Sequence, residues 1–110
     1  MNIDDLRQKY PNLLNEADLS VGDGWCPILD DLFDSIKFEF RNASDEVRED
    51  LKVDQIKEKF GVMRIYFRNS TEVVDALVYL AERISYRTCE DCGDPGKRRK
   101  GGWVRTLCVS

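Results

Sequence analysis

An α+β fold is predicted by three features of the 110-residue chain. Two stretches carry apolar residues at three- and four-residue steps, the period of a helix with one buried face. Between them, β-forming residues flank Gly61 as a hairpin would. After the second helix, the chain enters a cysteine-, glycine- and base-rich tail that reads as a small β-ribbon. The expected architecture is two amphipathic helices packed on a small antiparallel hairpin, with the ribbon at the C-terminal end. One domain, residues 1–110, is expected: an acidic body over 1–87 and the ribbon over 88–110.

Taken in order, residues 2–14 read as a short helix or two turns, broken at Pro11. Asp18 to Gly24 reads as a polar connector. Pro27 opens the clearest helix, since proline suits a first helical turn. Its stripe is Ile28, Leu29, Leu32, Phe33, Ile36 and Phe40, and Asp30, Asp31, Asp34 and Glu39 occupy the rest of the surface. Residues 42–50 are polar and acidic, with Asp45, Glu46, Glu49 and Asp50. Strands are predicted over 51–60 and 62–67, placing Met63, Ile65 and Phe67 on the inner face. Thr71 caps a second long helix to about Tyr86, with the stripe Val74, Leu77, Val78, Ala81 and Ile84.

The tail holds the strongest chemical signal. Cys89 and Cys92 stand two residues apart, and Cys108 follows fifteen residues later. A Cys-x-x-Cys turn points two thiolates to one side, and this spacing matches three ligands of a four-ligand zinc site. Structural Zn²⁺ is therefore the expected cofactor. A redox dithiol would need positive charge nearby, whereas Glu90 and Asp91 lie between the cysteines. A disulfide does not suit a chain whose opening residues lack an export signal. Catalytic zinc is disfavoured because the chain contains no histidine. The fourth ligand stays open: Cys26 is a candidate, as are the carboxylates of Glu90, Asp91 and Asp94 and a residue outside the 110. The bland reading of Cys26 is a small buried apolar residue.

Charge divides the chain. Residues 86–110 hold six bases against three acids, net +3, so residues 1–85 carry −7 of the total −4. Such asymmetry informs about partners rather than fold. The acids could dock on a basic protein groove built for nucleic acid. The basic run Lys97 to Lys100 beside Trp103 could instead bind single-stranded nucleic acid, although the acidic body would oppose phosphates within a Debye length of about 8–10 Å. Charge runs are also often no more than solvated surface. No phosphate loop or triad is recognisable, and Asp30, Asp31 and Asp34 on one helix are a weak Mg²⁺ signal, so no enzyme is expected. No apolar run reaches membrane-spanning length, and a cytoplasmic protein is expected.

Several motifs carry a resemblance over most of the chain from Gly24 onward. They are Gly24-Trp25-x-Pro27-Ile28-Leu29-Asp30, Gln55 to Tyr66 (QIKEKFGVMRIY), Cys89-Glu90-Asp91-Cys92-Gly93-x-Pro95-Gly96, and Gly102 to Cys108 (GWVRTLC). Together they resemble a family of small phage and prophage zinc-knuckle proteins. In that family a histidine three residues after the last cysteine is the usual fourth ligand; here that position would be 111, past Ser110. Cys26 stands where an aromatic is commoner. A zinc-bearing type II anti-CRISPR, which blocks Cas9 by binding the protein, is similar in size and character. The resemblance implies an anti-defence protein acting in the host bacterial cytoplasm, stapled by zinc and occluding Cas9. The implied contacts are Asp30, Asp31, Asp34, Asp45, Glu46, Glu49 and Asp50.

Overall fold

The computed structural model describes residues 1–99 and 105–108. The fold is α+β, as the periodicities predict, with two additions they miss. Helix α1 (Ile3–Lys9) begins at Asn2, whose side chain accepts from the Asp5 amide while the Asp5 carboxylate accepts from the Asn2 amide. This reciprocal cap satisfies amides that otherwise have no helical partner. Tyr10 ends the helix because Pro11 disfavours helical backbone before it. The following turns are held by Arg7, whose guanidinium donates to the carbonyls of Leu14 and Ala17 at 3.1 and 2.8 Å.

The first addition is strand β1 (Asp18–Ser20), in the segment read as a connector. It pairs in parallel with β2 (Lys52–Lys59), Leu19 opposite Ile56. Three residues with one apolar side chain give no local signal; the strand exists because a distant partner supplies its ladder. The second addition is helix α3 (Asp45–Asp50), capped by Ser44 accepting from the Val47 amide. Its acids favour a helix N-terminus electrostatically, but six residues without a buried face carry no apolar period.

Helix α2 (Cys26–Glu39) starts one residue before Pro27 and buries Leu29, Leu32, Phe33 and Ile36. Strand β2 pairs antiparallel with β3 (Val62–Arg68), Lys59 opposite Val62. The turn between them is Phe60-Gly61, both at positive φ (54° and 82°), the geometry that two-residue hairpins prefer. Met63 and Ile65 are buried and Phe67 is partly so, as expected for the inner face. The sheet is thus three-stranded and mixed, in the order β1-β2-β3. Helix α4 (Glu72–Ser85), capped by Thr71, packs on both α2 and β3. It also closes the open edge of the sheet. The Met63 amide donates to the Ser85 hydroxyl (3.0 Å), and the Ile65 amide donates to the Glu82 carboxylate (2.9 Å). An edge strand covered this way cannot recruit another chain there.

Strands β4 (Gly96–Arg99) and β5 (Arg105–Cys108) form the antiparallel ribbon. Lys100, Gly101, Gly102 and Trp103 lie outside the described residues. Among the described residues, no helix is long and apolar enough to cross a membrane.

Candidate metal centre and its docking loop

The ribbon is sewn to the body by a short, dense set of backbone bonds. From α4 the chain turns through Thr88, and the Cys89 amide donates to the Asp94 carbonyl while the Gly93 amide donates to the Cys89 carbonyl (2.8 and 2.9 Å). This folds Cys89 to Cys92 into a tight knuckle. Gly93, at φ +84°, supplies the left-handed residue that the turn needs. The Glu90 amide donates to the Thr106 carbonyl, which fixes β5 over the knuckle and returns Cys108 to the other two cysteines. Thr106 is fully buried, and its hydroxyl donates to the Gly61 carbonyl at 2.5 Å, tying the ribbon to the hairpin turn.

Cys89, Cys92 and Cys108 consequently lie with their sulfur atoms all within 4.8 Å of one another. Tetrahedral coordination with metal–sulfur bonds of about 2.3 Å places ligand sulfurs about 3.8 Å apart, so the three fit a common ion after small rotamer adjustments. Cys89 is buried, Cys108 half-buried and Cys92 exposed. Burial would raise the Cys89 thiol, but the amides of Cys92, Cys108 and Asp91 and the Cys92 thiol all donate to it, and together they lower it to about 7. The Asp94 amide favours the Cys92 thiolate, yet Cys92 is pushed up to about 11 because it gives its hydrogen bond to the Cys89 sulfur and is partly desolvated. Of the two, Cys89 therefore takes the negative charge first.

Cys26 is not part of this cluster, which corrects its candidacy as fourth ligand. Its side chain is fully buried in the main core at the start of α2, and burial, with Asp23 nearby, pushes its thiol up to about 11. Glu90 is also committed elsewhere: its carboxylate accepts from the Gly22 amide at 3.0 Å. Asp91 and Asp94 are exposed and do not join the three cysteines in a common cluster.

The sequence reading missed the role of Gly22-Asp23-Gly24-Trp25. A 3-10 turn (Asp23–Trp25) lies directly under the knuckle. The Gly24 amide donates to the Glu90 carbonyl (2.7 Å), and the Trp25 indole donates to the Thr88 carbonyl (2.9 Å). A Cβ on Gly24 would strike the carbonyls of Cys89 and Glu90, so glycine is required by the close approach of two backbones. Gly96 is equally constrained against the Cys89 backbone. The hint available in the sequence was a Gly-x-Gly-Trp loop with no catalytic or phosphate-binding context.

The acids proposed to bind a partner have unequal environments. Asp31, Asp34, Asp45, Glu46, Glu49 and Asp50 are exposed. Asp45 pairs with Arg48, and the other five carboxylates have no ion pair among the described residues. Asp30 works inside the fold instead. Its carboxylate accepts from the Tyr10 hydroxyl (2.6 Å) and pairs with Lys9 (2.9 Å). The Tyr10 bond first, then Lys9, lowers the Asp30 pKa, while burial and the nearby acids raise that of Tyr10.

A carboxyl depressed in the folded state stabilises it above its unfolded pKa of about 3.9, and the gain is lost as pH falls through the folded value. Asp30→Asn is therefore expected to lower stability by about 1 kcal/mol at pH 7. The deficit should shrink as both proteins are taken to acid. Thermal melts from pH 7 to pH 2 would show this; a deficit constant with pH would mean that the charge contributes nothing.

Lys97 is exposed on β4, whereas Trp103 and Lys100, the other parts of the expected nucleic-acid surface, lie outside the described residues. No protein-family model, curated protein or solved structure matches this chain.

Proposed function

We propose that the protein is a zinc-stapled, non-catalytic binding protein that acts by stoichiometric docking of its acidic α2–α3 region on a basic groove built for nucleic acid. Zinc suits the donor set because thiolates select a borderline-soft ion and the spacing supplies three of the four ligands of a structural site. In this role the ion holds the ribbon to the body and takes no part in recognition. The observation that carries the reading is the exposure of Asp31, Asp34, Glu46, Glu49 and Asp50 without ion pairs among the described residues. Carboxylates so placed are available to a cationic partner, and they speed and orient encounter more than they add raw affinity. The resemblance to small phage zinc proteins makes Cas9 the partner to test, with DNA loading as the step blocked.

Gel filtration of the protein with Cas9, with and without guide RNA, is expected to show co-elution and loss of DNA cleavage. Reversing Asp31, Asp34, Glu46 and Glu49 to lysine should weaken the complex at least about tenfold without lowering the melting temperature. Raising salt should weaken the parent complex more than the variant. Full cleavage with no co-elution would reject the anti-CRISPR reading for that Cas9. A gel shift of single-stranded DNA or RNA by the protein alone would then favour the basic ribbon as the working surface.

A further inference from the structure

Between the turn after α1, the C-terminal half of α2 and helix α3 lies an open groove of about 400 Å³. Its wall is unusual for a chain of net charge −4: Lys9, Lys37, Arg41 and Arg48 line it, and among the described residues no carboxylate does. Its floor is apolar, formed by Tyr10, Ile36 and Leu51, which are nearly fully buried, with Leu13 and Phe40 partly exposed. We propose that this groove binds a small amphipathic anion, a monocarboxylate carrying an aliphatic or aromatic body.

The size falls in the range of small-molecule sites, about 300–1,000 Å³, and such sites combine an apolar lining with a few placed polar groups. Charge supplies the choice of ligand. The ammonium groups of Lys9 and Lys37 both lie near the Tyr10 ring, 5.6 and 5.8 Å from its centroid. Lys9 is balanced by Asp30 and Arg48 by Asp45, and neither acid lines the groove. Lys37 has no ion pair among the described residues. Arg41 stacks on Phe38, 3.9 Å from its centroid, and gives one N–H to the Phe38 carbonyl, but has no carboxylate partner among the described residues. Two cationic charges thus remain over an apolar floor. A simple C-terminal helix cap would explain Arg41 and the presence of Lys37, since cations suit that end of a helix. It does not account for Lys9 and Arg48, which come from other elements and keep their own ion pairs, lining the same groove while their acids do not. A carboxylate at the Lys37–Arg41 lip with its apolar body over Leu13, Phe40 and Leu51 would answer both features. The inference does not rest on the Cas9 reading.

The test is calorimetric titration of the full chain with decanoate, decanol and acetate. Decanoate is expected to bind, with decanol and acetate each at least about tenfold weaker, the size of losing one charge-assisted contact or the apolar body. Lys37→Gln with Arg41→Gln should weaken decanoate about tenfold and leave decanol unchanged. Both side chains are exposed, so the melting temperature should hold. Absence of decanoate binding at millimolar concentration, or equal binding of decanol, would overturn the proposal. Tighter binding of an acidic apolar peptide than of decanoate would assign the groove to a protein partner and also overturn it.

Discussion

Cys92→Ser is expected to abolish metal binding and release the ribbon from the body while leaving the body folded. Cys92 is the exposed member of the cluster, so serine removes a ligand without opening a cavity. The parent should carry about one zinc per chain, as a site holding a single tetrahedral ion would. The variant should carry close to none. Free energy from structural zinc is folding free energy, and here it falls on the ribbon, where Cys89 is the one buried apolar residue among the described residues. The helices and main sheet keep the core around Phe33, Leu29, Ile56 and Met63. The loss should therefore be local: the amides of Cys89, Glu90 and Gly93 should exchange at least about a hundredfold faster, equivalent to about 2.7 kcal/mol, and the Met63 and Ile65 amides much less. Acid should mimic the substitution, because thiolates must bind the ion and protons compete for them, so affinity should fall as the pH is lowered. Unchanged exchange in Cys92→Ser, or a parent purified without metal that keeps the same protection, would show that the ion is no staple.

Trp25→Ala is expected to cost the whole protein about 3–5 kcal/mol, the range for truncating a large buried aromatic. Trp25 is fully buried and belongs to the main core, yet its indole N–H is bound to the Thr88 carbonyl beside the knuckle. Alanine removes the volume and leaves that carbonyl without its donor. Trp25→Phe keeps most of the volume and loses the hydrogen bond, so it should cost about 1–3 kcal/mol. The diagnostic readout is zinc affinity. Because the ring links the two parts, both variants should bind the metal more weakly. Chemical denaturation together with a zinc-chelator competition would check this. A variant that loses stability but keeps parental zinc affinity would show that the docking loop and the metal centre are independent.

These expectations rest on particular residues whose legibility in the sequence differed. The stripes Leu29-Leu32-Phe33-Ile36 and Val74-Ala81 were readable because a helical period repeats within one segment and depends on nothing distant. The hairpin was readable because Gly61 separates two β-forming runs. The three cysteines were readable because ligand spacing is a local property of a tight turn. Strand β1 was not, since its three residues are ordered by β2, more than thirty positions away. Helix α3 was not, because its six residues bury none of their side chains and its cap gives only a weak local signal.

The amino-acid sequence by itself determined the α+β class, the two long helices, the hairpin and the cysteine set, each the product of periodicity or spacing within a short stretch. Only the tertiary structure decided which groups meet. It placed Cys26 in the core rather than at the metal centre, and turned Asp30 inward to Tyr10 while leaving Asp31 and Asp34 in solvent. It also set Gly24 under the Cys89 and Glu90 carbonyls. The physical reason is common to all three. Burial, close backbone approach and charge pairing are relations between segments far apart in the chain, and no local pattern encodes the distance between them.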